Sequence, residues 1–229
     1  MFMLKRFSIF LILAAVLVSA ASAQGREMTP EQSYLMETME VMIITQTARM
    51  STLDQKQLAL DYIGEAIHRG NTNDQIRQTL EFLGSEGTRN VARENNRVVN
   101  NFPQVRRQAA KYLGVIGTEE ARKSLLDILL YENEPMVIQE AIRSLGEIGT
   151  NINNDSVNTI AWVVSRFHNL NPDNLMAFAT IDAFEKIARQ NGGLDSPDAV
   201  ELLLKISTGL YSTPVRERAR QLLAELRSY

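Results

Sequence analysis

Side chains that could carry out catalysis are few in this 229-residue chain. There is no cysteine, which excludes thiolate nucleophiles and thiolate metal sites. The two histidines, His68 and His168, each stand at the polar end of a predicted helix, without a second ligand at metal spacing. The adjacent acids Glu119 and Glu120 fall at a helix start, where they complement the helix dipole, and no glycine-rich phosphate-binding motif occurs. The sequence therefore predicts no catalytic residue, no metal site and no cofactor.

A cluster of basic side chains is the first candidate binding feature. Six basic residues and one acid, Glu94, fall within 23 positions, although the whole chain has a net charge of −3. The six are Arg89, Arg93, Arg97, Arg106, Arg107 and Lys111. Arg93 and Arg97 are four positions apart, so a short helix would place both guanidinium groups on one face. We expect the cluster to bind an anionic group or a partner. The alternative is that Arg106 and its counterpart Arg216 are structural repeat positions, while the others are solvated or cap the asparagine-rich turns.

The sequence contains an internal repeat. Segments 103–117 (PQVRRQAAKYLGVIG) and 135–149 (PMVIQEAIRSLGEIG) carry Pro, Val, Ala, Leu-Gly and Ile-Gly at the same places, 32 positions apart. A weaker copy begins at Pro214, and Ala59 with Ile63 and Gly64 fits the same frame 50 positions earlier. A fixed period of this length is typical of stacked helical units, which need neighbours to close their core.

Apolar residues recur at helical spacing through most of the chain, and no segment alternates with period two over a useful length, so we expect no sheet. In the first helix, which is expected to end near residue 51, the residues that recur at helical spacing are Tyr34, Leu35, Met39, Met42, Ile43 and Met50. A second helix covers 52–68, and Thr72 is expected to cap a third. The predicted organisation is a signal peptide (1–23), degenerate helical repeats (24–84), an irregular Arg- and Asn-rich insertion with one short helix (85–102), and a regular array (103–229).

The repeat motif resembles a known family. Proline, Val-Arg, alanine and Leu-Gly-x-Ile-Gly, followed by an acidic loop and a second apolar helix, resemble the HEAT repeat in its short, phycobilisome-lyase-like form. The resemblance implies an all-α fold, an α-solenoid of antiparallel helix pairs. Proline suits the first turn of a helix, and Gly117 and Gly149 permit a left-handed exit at its end. Such a fold hosts scaffolds, adaptors and a few enzymes, so the resemblance implies architecture more than activity.

A second candidate site lies on the second helices of the pairs. With Ala121, Val157 and Ala199 as equivalent core positions, helical spacing places another set together, off the core direction. In HEAT-like arrays the second helices line the concave face, so the resemblance implies that this set faces a groove. The residues expected to contact a partner there are Leu126, Leu130, Trp162, Arg166 and Leu204. The alternative is that they form the seams between neighbouring repeats.

Residues 1–23 have the order of a secretory signal peptide: basic Lys5 and Arg6, an apolar run over 7–18, and small residues ending at Ala23. The alternative is a membrane anchor. Cleavage after Ala23 leaves 22 of the 24 basic side chains against 27 acidic ones, so the net charge changes from −3 to −5. An acidic chain is a poor candidate for nucleic-acid binding. Export without cysteine suits a bacterial periplasm or cell envelope.

Together these patterns predict an exported, non-enzymatic interaction scaffold that binds a protein or peptide in the bacterial cell envelope, with Arg89, Arg93, Arg97 and Arg107 contributing to binding. A lyase-like HEAT enzyme or small-ligand carrier with a pocket on the concave face is the alternative. A third possibility, if segment 1–23 is retained, is a membrane-tethered adaptor. The sequence gives no indication of the oligomeric state or of the partner's identity.

Overall fold

The computed structural model describes residues 29–170 and 172–228, so the predicted signal segment lies outside the described residues. Contacts divide the chain into two units, 1–40 and 41–229. Of the first unit the structure describes residues 29–40. They consist of Thr29 and the first part of helix α1 (Pro30–Ala48). At its start the Gln32 N–H donates to the Thr29 hydroxyl at 3.3 Å, which caps one of the free amides of the first turn.

The second unit consists of α-helices joined by short turns, with a small hairpin between the third and fourth helices. After α1 the helices are α2 (Leu53–His68), α3 (Asp74–Ser85), α4 (Pro103–Ile116), α5 (Glu119–Tyr131), α6 (Pro135–Ile148), α7 (Asp155–Leu170), α8 (Asn174–Asn191), α9 (Pro197–Thr208) and α10 (Thr213–Glu225). Short 3-10 turns cover Ile152–Asn154 and Leu226–Ser228. The hairpin strands are β1 (Arg93–Glu94) and β2 (Arg97–Val98).

These helices form two rows. The first helices α2, α4, α6, α8 and α10 pack one on the next, and so do the second helices α3, α5, α7 and α9. The repeat residues Ala109, Leu113, Ala141 and Leu145 are fully buried in the core cluster. The predicted repeat frame and the predicted all-α solenoid are therefore confirmed.

Helix ends in the array follow the repeat motif. Pro103 and Pro135 open α4 and α6, where a missing N–H costs no helical hydrogen bond. Gly117 (φ +66°) and Gly149 (φ +70°) close them in the left-handed conformation, and the N–H of each donates to a leucine carbonyl of the last turn at 3.1 and 2.9 Å. The predicted left-handed exits are confirmed.

Two expectations about the first three helices are wrong. In α1 the buried residues are Val41, Ile44 and Ala48, and the helix ends at Ala48. The apolar residues that recur at helical spacing are exposed, namely Tyr34, Leu35, Met39, Met42, Ile43 and Met50. Because apolar residues surround this helix on all sides, its sequence does not determine which side is buried. In α3 the cap is Asn73, whose Oδ1 accepts the Ile76 N–H at 3.0 Å, and not Thr72.

The expected short helix in 85–102 and the absence of any sheet are also wrong. β1 and β2 pair antiparallel, with Arg93 opposite Val98 and Glu94 opposite Arg97. Asn95 (φ 47°) and Asn96 (φ 66°) form the two-residue turn, in which positive φ at both positions suits the twist of a tight hairpin and asparagine tolerates it. Arg93 and Arg97 therefore lie on opposite strands and do not share a helix face. The predicted domain boundaries stay predictions.

Buried polar contacts fasten the base of this hairpin segment to the helices. Lys56 Nζ lies 2.6 Å from a Glu86 carboxylate oxygen, and both side chains are buried. The Arg106 guanidinium donates to the Glu86 carbonyl at 3.1 Å and to Asn101 Oδ1 at 2.8 Å. Glu132, the residue directly after α5, accepts two further hydrogen bonds from Arg106, at 2.6 and 3.2 Å. The segment is thus held against α2, α4 and α5, while the hairpin arginines are exposed.

Candidate binding face of the second helices

Trp162, the only tryptophan of the chain, turns its side chain toward solvent on α7. It is 53% exposed, whereas its neighbours Ala161 and Val163 are buried, so the ring lies on the side of α7 that faces away from the core. Arg166 follows one turn later, and its guanidinium carbon is 4.5 Å from the centroid of the Trp162 ring. That separation is within the range of a cation–π contact. The pair combines an exposed apolar ring with a cation.

Apolar side chains extend this surface onto the neighbouring second helices. Leu204 on α9 is 51% exposed and Leu130 on α5 is 43% exposed. Leu126, also on α5, is half-buried and packs against the core, so it contributes both to this surface and to the packing between neighbouring repeats. Since α7 packs against both α5 and α9, the set crosses three packed helices, a width of about 16–20 Å at ordinary helix spacing. We call Leu126, Leu130, Trp162, Arg166 and Leu204 the second-helix face; that it contacts a partner stays a prediction.

An open groove adjoins the second-helix face on α3 and α5. It has a volume of about 540 Å³. Its lining consists of Arg77, Glu81, Glu120, Lys123, Ser124, Leu126, Asp127, Leu130 and Thr159. Although burial lowers it, hydrogen bonds to Asp74 and Glu81 raise the pKa of Arg77 above its usual value. The groove wall therefore carries fixed charges of both signs beside the two leucines.

Three arginines of the solenoid differ in what their guanidinium groups contact. Arg106 donates from Nε and Nη2 to the two carboxylate oxygens of Glu132, at 2.6 and 3.2 Å. Arg122 uses the same two atoms on Glu119, both at 2.7 Å, and this pairing raises its pKa. In Arg166 the same atoms, Nε and Nη2, are buried and have no hydrogen-bond partner in the described part of the chain. Arg166 therefore lacks the carboxylate that the other two arginines have.

The predicted basic cluster is divided by the fold. Arg106 is buried in its pair with Glu132, so it is a structural residue, as the alternative expected. Arg89 forms an ion pair with Asp127 of α5 and lies over the Tyr131 ring, 5.5 Å from its centroid.

The remaining arginines of the cluster lie elsewhere. Arg93 and Arg97 are exposed on the hairpin, where Arg93 Nη1 donates to the Asn96 carbonyl at 3.4 Å. Arg107 belongs to the first-helix row and pairs with Glu140 on α6 at 3.2 Å. A groove of about 350 Å³ beside Arg107 is lined by Gln104, Gln108, Lys111, Met136, Glu140 and Arg143. Besides the buried Arg106, the predicted single patch is thus divided into Arg89 on Asp127, the hairpin residues Arg93 and Arg97, and Arg107 in the first-helix row. A binding role for Arg89, Arg93, Arg97 and Arg107 stays a prediction.

His168 is paired with a tyrosine. Its Nδ1 lies 2.9 Å from the Tyr211 hydroxyl, and the two rings stack with centroids 5.6 Å apart. Burial and, second, the charge of Lys205 lower the pKa of His168; burial and Asp173 raise that of Tyr211. Both shifts favour the neutral forms, which suits a structural hydrogen bond. Among residues 29–170 and 172–228, no three or more His, Cys, Asp or Glu side chains are grouped so as to hold a metal ion.

Sequence reasoning missed two residues beside the second-helix face. Asp127 is the partner of Arg89, 38 positions away, and no local pattern indicates a contact at that separation. Tyr131 is exposed at the end of α5, where an aromatic residue after an apolar stripe was a usable signal. In the part of the chain that the structure describes, no helix has the length and apolar character to span a membrane.

The comparisons agree with the repeat frame. A family model of HEAT repeats matches residues 97–161, which contain α4, α5, α6 and the first part of α7. This part of the chain is a HEAT-like repeat array. No curated protein sequence matches it. Its fold is similar to a chain in the structure of the complex of CpcE and CpcF of phycocyanin lyase from Nostoc sp. PCC7120.

That structural match has a TM-score of 0.55 and 17% sequence identity, and it covers 90% of this chain and 68% of the other chain. At this identity the likeness concerns the fold alone. Because the match covers most of this chain, the solenoid extends beyond the two repeats that the family model recognises.

Proposed function

We propose that this HEAT-like protein is an exported interaction scaffold that binds a protein or peptide of the bacterial cell envelope along its second-helix face. One observation carries the proposal: Leu130, Trp162 and Leu204 are exposed on three neighbouring second helices. Tryptophan is enriched among the residues that dominate binding energy, above all when apolar contacts surround it and exclude water. HEAT repeats commonly present such faces to partners, because stacked repeats form extended surfaces.

Export rests on the sequence. The basic start, the apolar run and the small residues before Gln24 have the order that signal peptidases recognise. A protein without cysteine needs no disulfide chemistry to fold after export. The intact mass of the protein isolated from the native envelope should correspond to a chain that begins at Gln24. A full-length mass would instead support the membrane-tethered adaptor.

A lyase-like enzyme or small-ligand carrier is the second candidate. The groove of about 540 Å³ beside Leu126 and Asp127 is large enough for a small ligand, and its wall has charged groups of both signs. The structurally similar chain comes from a complex of a phycocyanin lyase. Saturable binding of a small molecule that Asp127→Asn abolishes, without any protein partner, would favour this candidate.

Affinity capture with matched variants tests the scaffold. The bait is the mature chain, compared with Trp162→Ala and with Val115→Ala as control. Val115 is an exposed apolar residue on α4 of the first-helix row, outside the second-helix face. The scaffold predicts that wild type and Val115→Ala capture the same envelope protein at equal yield and that Trp162→Ala loses it. Equal capture by all three baits would contradict a partner site at Trp162.

A further inference from the structure

Arg166, which is partly buried, differs in its contacts from the two buried arginines Arg106 and Arg122. Arg106 and Arg122 each direct Nε and Nη2 at the two oxygens of one carboxylate. This edge of the guanidinium group has two parallel N–H bonds that match a carboxylate in spacing and direction. The same edge of Arg166 is buried without a partner among the described residues. A buried donor without an acceptor lowers stability, and that loss disappears when an acceptor arrives.

We propose that Arg166 is the receptor for a carboxylate side chain, Asp or Glu, of an acidic peptide segment that crosses the second-helix face. This inference rests on the proposed function and specifies its partner. The carboxylate would meet Nε and Nη2 in the arrangement that Glu132 and Glu119 adopt on Arg106 and Arg122. Apolar side chains next to it would contact the Trp162 ring and the neighbouring leucines.

Apart from Arg166, the charges near the end of α7 are of both signs. After burial, Lys205 on α9 lowers the pKa of His168 and Asp173 raises the pKa of the adjoining Tyr211. The Lys205 ammonium is partly compensated by Glu201 at 2.7 Å. No acid of the described chain contacts the Arg166 edge. A carboxylate from a partner would therefore meet a guanidinium edge to which no acid of the described residues is hydrogen-bonded.

The position of Arg166 indicates a side-chain carboxylate and not a chain terminus. Arg166 and Trp162 lie on α7, the middle helix, with exposed Leu130 on α5 to one side and exposed Leu204 on α9 to the other. A segment that contacts both leucines continues past Arg166 in both directions. Three helices at ordinary spacing span about 16–20 Å, which an extended segment of about six residues covers.

Binding requires a small rearrangement. Nε and Nη2 are covered in the free chain, and the Trp162 ring lies against the guanidinium group. A carboxylate reaches the edge once the Arg166 or Trp162 side chain rotates, a motion that exposed side chains make within nanoseconds. Since Trp162 is the only tryptophan, its emission should change when such a peptide binds.

The test is peptide selection on the full mature chain, followed by a double-mutant cycle. The probes are 12-residue peptides displayed with their C-terminus fused, so that only side chains supply carboxylates. Selected peptides are then synthesised with an amidated C-terminus, and each acid is replaced by its amide. Kd values are measured for wild type, Trp162→Ala, Arg166→Gln, Arg166→Lys and Arg143→Gln. Arg143 is an exposed arginine of the first-helix row and serves as the control.

The proposal predicts that peptides whose binding needs Trp162 share an Asp or Glu between apolar residues. Arg166→Gln and replacement of that acid should each raise Kd by about 10- to 100-fold, as loss of a charged hydrogen-bonded pair does. Combining the two changes should raise Kd no further than either change alone, because both remove the same contact. Arg166→Lys should give a smaller loss, and Arg143→Gln none. Unchanged melting of Arg166→Gln would show that the loss is not a folding defect.

Two other results have distinct meanings. If Trp162-dependent peptides bind equally well to Arg166→Gln, or if the two losses simply add, the carboxylate receptor is wrong and the scaffold function stands. The same applies if a peptide with a free C-terminal carboxylate binds more tightly than its amide. If no selected peptide depends on Trp162, both the receptor and the proposed peptide-binding function are overturned.

Discussion

At the scale of single residues, burial determines what a charged side chain does in this molecule. Arg106 and Glu132 are both almost fully buried, and Glu132 also accepts the N–H groups of Asn133 and Glu134 at 2.9 and 3.0 Å. Arg89 and Asp127 form an ion pair that is about half exposed on both sides. Removing one member of a buried pair leaves a charge without compensation, whereas an exposed charge is solvated by water.

Glu132→Ala should therefore lower the free energy of unfolding by about 3–5 kcal/mol, because Arg106 stays buried without its acceptor. Asp127→Ala is the matched control and should cost about 0–1 kcal/mol, as exposed pairs do. Urea denaturation followed by circular dichroism measures both. Similar losses of stability in the two variants would contradict the conclusion that Arg106 and Glu132 form a buried, stabilising ion pair.

At the scale of helices, glycine sets how closely the first helices pack. The Leu-Gly of the repeat motif places Gly114 of α4 against Ser144 of α6, and Gly146 of α6 against Ala183 of α8. A β-carbon on Gly146 would lie 2.7 Å from the Ala183 α-carbon and 2.8 Å from its β-carbon. Backbone atoms cannot move aside as a flexible side chain can, so the seam between α6 and α8 requires glycine.

Gly146→Ala should lower stability by about 1–3 kcal/mol, the usual cost of overpacking, even though alanine favours helix by about 1 kcal/mol over glycine. Gly84→Ala is the control: a β-carbon there meets the Ile128 side-chain tip at 2.7 Å, and a side chain can rotate away. We expect a clearly smaller loss in thermal and urea denaturation for Gly84→Ala. A Gly146→Ala protein as stable as wild type would mean that α6 and α8 are further apart than described.

Helices with a clear polar side were predictable from the sequence, and segments without one were not. The core of α3, Ile76, Leu80 and Leu83, follows the expected stripe because polar residues separate these positions. α1 has apolar residues on all sides, so periodicity does not indicate which of its residues are buried. The hairpin was not predictable because its strands have two residues each, too few for an alternation pattern.

At the scale of the whole molecule, the frame of the array was predictable and the partners of its charges were not. Helical phase alone placed Trp162 away from the core, and the structure exposes it. The pairs Lys56 with Glu86 and Arg89 with Asp127 join positions 30 and 38 apart, and they depend on how repeats stack. For the same reason the sequence could not indicate that Arg166 lacks an acid.

The proposed binding role of the second-helix face depends most on the exposure of the Trp162 ring to solvent. The fluorescence emission of this single tryptophan reports that exposure directly. In the free protein we predict red-shifted emission that acrylamide quenches readily, and in the presence of a bound partner blue-shifted emission that is protected. Trp162→Ala should cost about 1 kcal/mol or less, because it removes a half-exposed ring and one cation–π contact. Blue-shifted, protected emission in the free protein, with a loss of about 3–5 kcal/mol in Trp162→Ala, would make the ring a buried seam residue and contradict the proposed binding face.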